Sequence, residues 1–248
     1  MKLNLINPNT SWSMTELIAV SARAVACPGT EIRAVSPAGG PPSIECHFEE
    51  AVAALGVVEE VRRGEAEGCD AHIIACFGDP GLDAAREFTS GPVIGIAEAG
   101  MHAATMLATG FSVVTTLERT AIIAEHLAHR YGADRQCRRI RAIEIAVLEL
   151  EDPACRAYER LLDECRRALA EDRSGAIVLG CAGMSDLARQ LSAELGVPVI
   201  DGVTVAVGMC EALVRCGLGT SKPGDYASPP VKRLDGWGAP FSNGSPPV

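Results

Sequence analysis

The sequence predicts an α/β protein of two pseudo-symmetric lobes, each a mainly parallel sheet flanked by helices, with the active site in the cleft between them. Three observations carry this reading. Short β-branched runs alternate with longer helical patterns along the chain. Several of those runs are apolar throughout rather than alternating, as strands covered on both faces are. One stretch of the chain is also echoed about half a chain later.

The first strand reads over residues 2–7 and runs into the turn Asn7-Pro8-Asn9-Thr10 ahead of a helix. A short strand over 30–35 follows, then a Pro/Gly loop over 37–42 and helical spacing over 48–67. A strand over 71–75 leads to Asp79-Pro80, an N-cap type followed by proline at the first helical position, and 93–96 is the next strand. Strands are read at 111–115, 140–148, 176–179 and 197–200. Helices are read at 117–131, 154–171, 185–195 and 204–214, with Ser185 as a cap. This divides the chain into a first lobe over 1–97, completed by the helix around 204–218, and a second lobe over 98–203. The tail over 219–248 holds six of the fifteen prolines and makes no regular element. Tyr226, Trp237 and Phe241 are its anchors, and its far end is expected to move.

The repeat is the most informative feature. Gly68-Cys69-Asp70-Ala71-His72-Ile73-Ile74-Ala75-Cys76-Phe77-Gly78 is matched by Arg173-Ser174-Gly175-Ala176-Ile177-Val178-Leu179-Gly180-Cys181-Ala182-Gly183. Each cysteine is followed by a Pro-Val-Ile, 16 residues on in one copy and 17 in the other. Two lobes related by a pseudo-twofold axis would bring Cys76 and Cys181 together across the cleft.

Composition narrows the class. With 248 residues, 48% apolar and only 4% aromatic, the chain buries a core of Ala, Val, Ile and Leu. A net charge of −10 and the lack of a basic stripe exclude nucleic acid as a partner. Arg138, Arg139 and Arg141 read as a local, solvated group. No leader-like segment opens the chain and no apolar run approaches membrane-spanning length, so the reading is a cytoplasmic protein with no membrane partner. The ten cysteines are scattered without zinc or disulfide spacing, and the five histidines show no metal spacing, so the cysteines read as free thiols and no metal is assigned.

Each repeat cysteine sits where a strand ends and a helix is about to begin, where unpaired N–H groups and the helix dipole favour an anion. An ordinary thiol titrates near pH 8.5, and this setting is expected to lower it. Inverting a carbon acid requires a proton taken from one face of a planar intermediate and another delivered to the opposite face. Two acid/base groups that exchange roles suit that task. The N–H groups of Phe77, Gly78 and Asp79, and of Ala182, Gly183 and Met184, are placed to hold an enolate oxygen. Asn9, Thr115 and Thr116 end strands that border the cleft and serve equally as bare turns or ligand contacts. Ser43 and Ile44 end the Pro/Gly loop, either at the surface or over the cleft.

Ile6-Asn7-Pro8-Asn9-Thr10, Ser43-Ile44-Glu45, Ala75-Cys76-Phe77-Gly78-Asp79-Pro80-Gly81-Leu82-Asp83, Pro92-Val93-Ile94-Gly95-Ile96 and Leu179-Gly180-Cys181-Ala182-Gly183-Met184 together resemble the hydantoin/allantoin racemases of the Asp/Glu racemase superfamily. The likeness runs from about residue 1 to residue 218. It implies a cofactor-independent, metal-free homo-oligomer acting on a small 5-monosubstituted hydantoin such as allantoin. It also implies that Cys76 and Cys181 carry the C5 proton, with backbone near each cysteine binding the ring. Ala182-Gly183 stands where glutamate racemases place a polar Thr-His, which suits a neutral ring. Pro42 and Cys46 depart from the family's small residue and glycine at those places, which bears on substrate size. The same fold leaves open amino-acid racemisation, arylmalonate-type decarboxylation and maleate isomerisation. A non-catalytic α/β protein binding a small ligand, its repeat a mark of duplication alone, is the reading from another class.

Overall fold

The computed structural model describes residues 1–242 and holds two four-stranded, all-parallel sheets. The first is built from β1 (Lys2–Ile6), β2 (Glu31–Val35), β3 (Ala71–Ile74) and β4 (Val93–Gly95), in the order β2-β1-β3-β4. The second contains β5 (Phe111–Thr115), β6 (Cys137–Ala142), β7 (Ala176–Leu179) and β8 (Val199–Ile200), in the equivalent order β6-β5-β7-β8. The sequence repeat is therefore a repeat of topology. β3 and β7 lie second from one edge in their sheets, and every residue of both is buried; β7 reads as an unbroken apolar run, and β3 does so but for His72, whose ring is bonded to Asn4 and Glu65.

Among the described residues eight α-helices cover the sheets: α1 (Trp12–Val25), α2 (His47–Ala66), α3 (Leu82–Phe88), α4 (Ile96–Leu107), α5 (Glu118–Arg130), α6 (Ala157–Glu171), α7 (Ala188–Leu195) and α8 (Gly202–Arg215). Two of them exchange sides. α4 leaves the first sheet and packs on β7 of the second, whereas α8 leaves the second sheet and packs on β3 and β4 of the first. The two meet at Gly202, where a Cβ would run into the carbonyl of Ile96. Through this crossing Ile96, Ala97, Met101, Val178, Val203 and Val207 belong to one core that spans both halves. Among the described residues no helix is long and apolar enough to cross a membrane.

Four departures from the sequence reading have local causes. α4 was not foreseen, because it is apolar nearly all round: Ile96, Ala97, Ala99, Gly100, Met101 and Ala104 are all buried. The run over 140–148 is not one strand. β6 ends at Ala142, and Glu144, at φ 52°, turns the chain so that Ile143 and Ile145 donate to Thr115 and Thr116 at 3.1 and 3.2 Å. Ser185 caps no helix. It lies in a 3-10 turn, Ala182–Leu187, and bonds the Ser21 hydroxyl at 3.0 Å before α7 begins. Arg141 is not solvated but buried on β6, bonded to Asp172, Glu164 and Glu171.

The tail is held mainly by polar groups. Thr220 donates its N–H to Ser90 and its hydroxyl to Gly91, and the Lys222 ammonium donates to the carbonyls of Arg86, Glu87 and Thr89 at 3.0–3.1 Å. A cation at a helix C-terminus is favoured by the helix dipole. Tyr226 does anchor the tail, with its hydroxyl 3.0 Å from Asp83 and its ring under Arg86. Phe241 is half-buried and ends a 3-10 helix, Gly236–Phe241, a regular element where the sequence reading has none. The Trp237 side chain and residues 243–248, on which the expectation of a moving end falls, lie outside the described residues.

Candidate active site

Cys76 and Cys181 occupy equivalent turns just past β3 and β7. Ala75 donates to Ile6 and Gly180 donates to Val114, both at 2.8 Å, so each cysteine follows the last residue pinned to the sheet. Each turn is then closed by an i+3 bond, from the Asp79 N–H to the Cys76 carbonyl at 3.0 Å and from the Met184 N–H to the Cys181 carbonyl at 3.2 Å. The N–H of Gly78 points at the Cys76 sulfur, and that of Gly183 at the Cys181 sulfur. Both thiols are half-buried and both line a single cleft between the sheets.

That cleft is walled by Asn7, Asn9, Met14, Ile44, Glu50 and the Ala75–Gly78 turn from the first half of the chain. Thr115, Thr116, Thr120, Ile123, Ala124, Val147 and the Gly180–Ala182 turn come from the second. The Asn7 amide donates to Asn9 at 2.9 Å and to Thr15 at 3.0 Å, which sets the first wall. Thr115 donates to the Gly180 carbonyl at 3.1 Å and sets the second. Glu45 ties the two over the top, its carboxylate accepting from the Val147 N–H at 2.7 Å.

Asn9, Ile44, Phe77, Gly78, Thr115, Thr116 and Ala182, all singled out in the sequence, stand on this wall with the two cysteines. Ser43, Asp79, Gly183 and Met184 do not. Met184 is fully buried in the core of the second half among Leu161, Leu179 and Leu191. Asp79 turns away from the cleft at φ 44°. It caps the start of α4, not its own helix: its two oxygens accept from the N–H groups of Ala97 and Glu98 at 3.1 and 3.0 Å, and from the Tyr131 hydroxyl at 2.7 Å. Burial pushes the Asp79 carboxyl up to about 7 against those three donors.

Glu50, Met14, Thr120, Ile123, Ala124 and Val147 are wall residues that the sequence reading does not single out. Asn7 opens the strand-end turn already noted and Met14 follows it on α1, while Thr120 to Ala124 follow the Thr115-Thr116 corner at helical spacing. Glu50 gave no signal apart from other acids near a helix start.

The thiols also depart from expectation. The turn N–H groups do lower their proton affinity, yet burial outweighs them. Cys181 is pushed up to about 11, and Cys76 further still, with the Cys181 and Glu50 charges adding to burial. The influence of Cys181 on Cys76 reflects two sulfurs lining one partly desolvated cleft. Such a pair holds its protons at neutral pH.

A model of the Asp/Glu/Hydantoin racemase family matches residues 3–210. The structure of allantoin racemase from Klebsiella pneumoniae superimposes with a TM-score of 0.96 at 58% identity, covering 98% of this chain and 99% of that one. Allantoin racemase from Pseudomonas fluorescens superimposes with a TM-score of 0.91 at 43% identity, covering 95% of this chain and 100% of that one. The hydantoin racemase of Rhizobium meliloti is 50% identical over 95% of this chain and 98% of its own length. With its paired cysteine turns and a match along most of its length, the chain belongs to the Asp/Glu/hydantoin racemase family.

Proposed function

We propose that the protein racemises 5-monosubstituted hydantoins, allantoin among them, by moving the C5 proton between Cys76 and Cys181. The observation that carries this reading is the equivalence of the two cysteine turns across one cleft. One thiolate removes the C5 proton from its side, the electron pair passes into the neighbouring C4 carbonyl, and the other thiol delivers a proton to the opposite face. The enzyme then holds the reverse protonation state and is ready for the other enantiomer.

The enolate oxygen needs donors. Gly78 and Gly183 spend their N–H groups on sulfur, and Asp79 and Met184 spend theirs on closing the turns. The N–H groups of Phe77 and Ala182 are the ones these turns leave to the cleft, and they are assigned this task. Ten free thiols suit a reducing compartment such as the cytoplasm.

Single enantiomers of allantoin and of 5-benzylhydantoin, incubated with the protein in deuterated buffer, should lose optical signal and gain C5 deuterium faster than a protein-free blank. No acceleration with either compound would overturn the reading. The raised thiols also set a pH dependence. Below their ionisation the form with one thiolate and one thiol is scarce, and its share grows as pH rises. Between about pH 5 and pH 7, before the ring imide ionises, kcat/KM should climb about tenfold per pH unit. A plateau in that window would mean that the N–H groups of the turns prevail over burial.

A further inference from the structure

We propose that Glu50 is a specificity residue of this cleft, its carboxylate accepting a ring N–H of the bound hydantoin. This rests on the hydantoin racemase reading and names a ligand contact within it.

The residues that line the cleft include no lysine, arginine or histidine, and Glu50 is the single acid among them. The side chain of Glu50 is 16% exposed, and its hydrogen-bond partner is His47, 3.3 Å away and itself 67% exposed on the outer side. A carboxylate so placed still has lone pairs to satisfy, and leaving them bare in a closed site is costly. Burial accordingly pushes the Glu50 carboxyl above its ordinary value. The group lies against the turn that presents Cys76. A Cβ on Gly78 would collide with a Glu50 oxygen, and the Glu50 charge raises the Cys76 thiol.

The bland account is an acid in the first turn of α2, drawn by the helix dipole. Glu49 already fills that role, its carboxylate accepting from the Glu45 N–H at 2.6 Å, whereas Glu50 faces inward. A cleft with a lone acceptor of negative charge and no cation is unsuited to a substrate carboxylate. It fits a neutral ring that brings its own donors. A hydantoin offers two, N1–H beside C5 and N3–H between the carbonyls. Bonding either to Glu50 fixes the ring plane against the Gly78 turn, which points C5–H toward sulfur.

The test pairs one protein change with one substrate change. Glu50→Met keeps the bulk over Gly78 and removes the acceptor. Racemisation is followed for 5-benzylhydantoin and its N1-methyl and N3-methyl derivatives. Hydrogen bonds to charged groups are worth about tenfold or more in kcat/KM. Methylating one of the two nitrogens should cost the wild type at least about that factor. In E50M the parent compound should fall by a similar factor while that methyl derivative keeps its rate, so the penalty disappears. A purely structural or steric role would slow all three compounds in proportion and leave both penalties intact, which would overturn the assignment. A wild-type enzyme inert toward every hydantoin would instead overturn the racemase reading, and this contact with it.

Discussion

Replacing Cys76 or Cys181 by alanine is expected to lower racemisation by about a thousandfold or more in both directions, because in the proposed mechanism each direction uses both thiols. The double variant should be scarcely worse than either single one, since the two groups act as a unit. The informative quantity is exchange at C5. With Cys76 removed, the Cys181 thiolate still reaches its own face of the ring. It can take a proton from one enantiomer and return a deuteron to the same side. That variant should wash deuterium into a single enantiomer without loss of optical activity, and Cys181→Ala should do the same for the other enantiomer.

Neither sulfur is a keystone of the core. Both are half-buried at the cleft, and neither belongs to the fully buried set, so circular dichroism of the variants should match the wild type. Racemisation above a few per cent in either variant would show that one base suffices. Exchange into both enantiomers by one variant would show that the ring turns over within the cleft, so that a single thiol meets both faces.

The parts of this molecule that were legible in the sequence are those whose physics is local. β3, β5 and β7 announce themselves because burial on both faces leaves them mostly apolar, with His72, Ser112 and Thr115 the few polar exceptions. The cysteine pair was legible because the repeat placed each one past such a strand. What escaped depends on distant partners. Asp79 precedes a helix and looks like its cap, yet the N–H groups it satisfies lie 18 and 19 residues onward, at the start of α4. α4 packs between both halves, and its polar face is narrowed to the stripe Glu98, His102 and Thr105, too thin to mark a helix against its apolar neighbours. Glu50 is one of several acids near a helix start, and only the packing of α2 against the Cys76 turn sets it apart. Among these omissions, the basic group on β6 bears most on stability.

Arg141→Met is expected to destabilise the protein by about 3 kcal/mol at neutral pH, because it strands a buried carboxylate. The Arg141 side chain is 3% exposed and Asp172 5% exposed. The guanidinium meets Asp172 through two nitrogens, at 2.6 and 2.5 Å, and reaches Glu164 at 3.0 Å and Glu171 at 2.7 Å. Ser112 donates to the same Asp172 at 2.9 Å. Glu171 is 48% exposed, so that arm is screened by water, which favours the lower end of the cost of breaking a buried pair.

The pH dependence separates charge from packing. In the wild type the Arg141 hydrogen bonds hold the Asp172 carboxyl below the usual range. This contributes stability at pH values above the unfolded value, near 3.9, and the contribution is lost as pH falls through the lower folded value. In Arg141→Met the one cation left beside Asp172 is Arg139, 4.0 Å away and 62% exposed, so its pull is screened by water; burial then moves the carboxyl the other way, and protonation on acidification relieves the variant. The gap in urea midpoint between wild type and variant should therefore be widest at pH 7 and narrow toward pH 4. A gap that stays constant across that range would assign the loss to the missing side-chain volume and not to the orphaned charge.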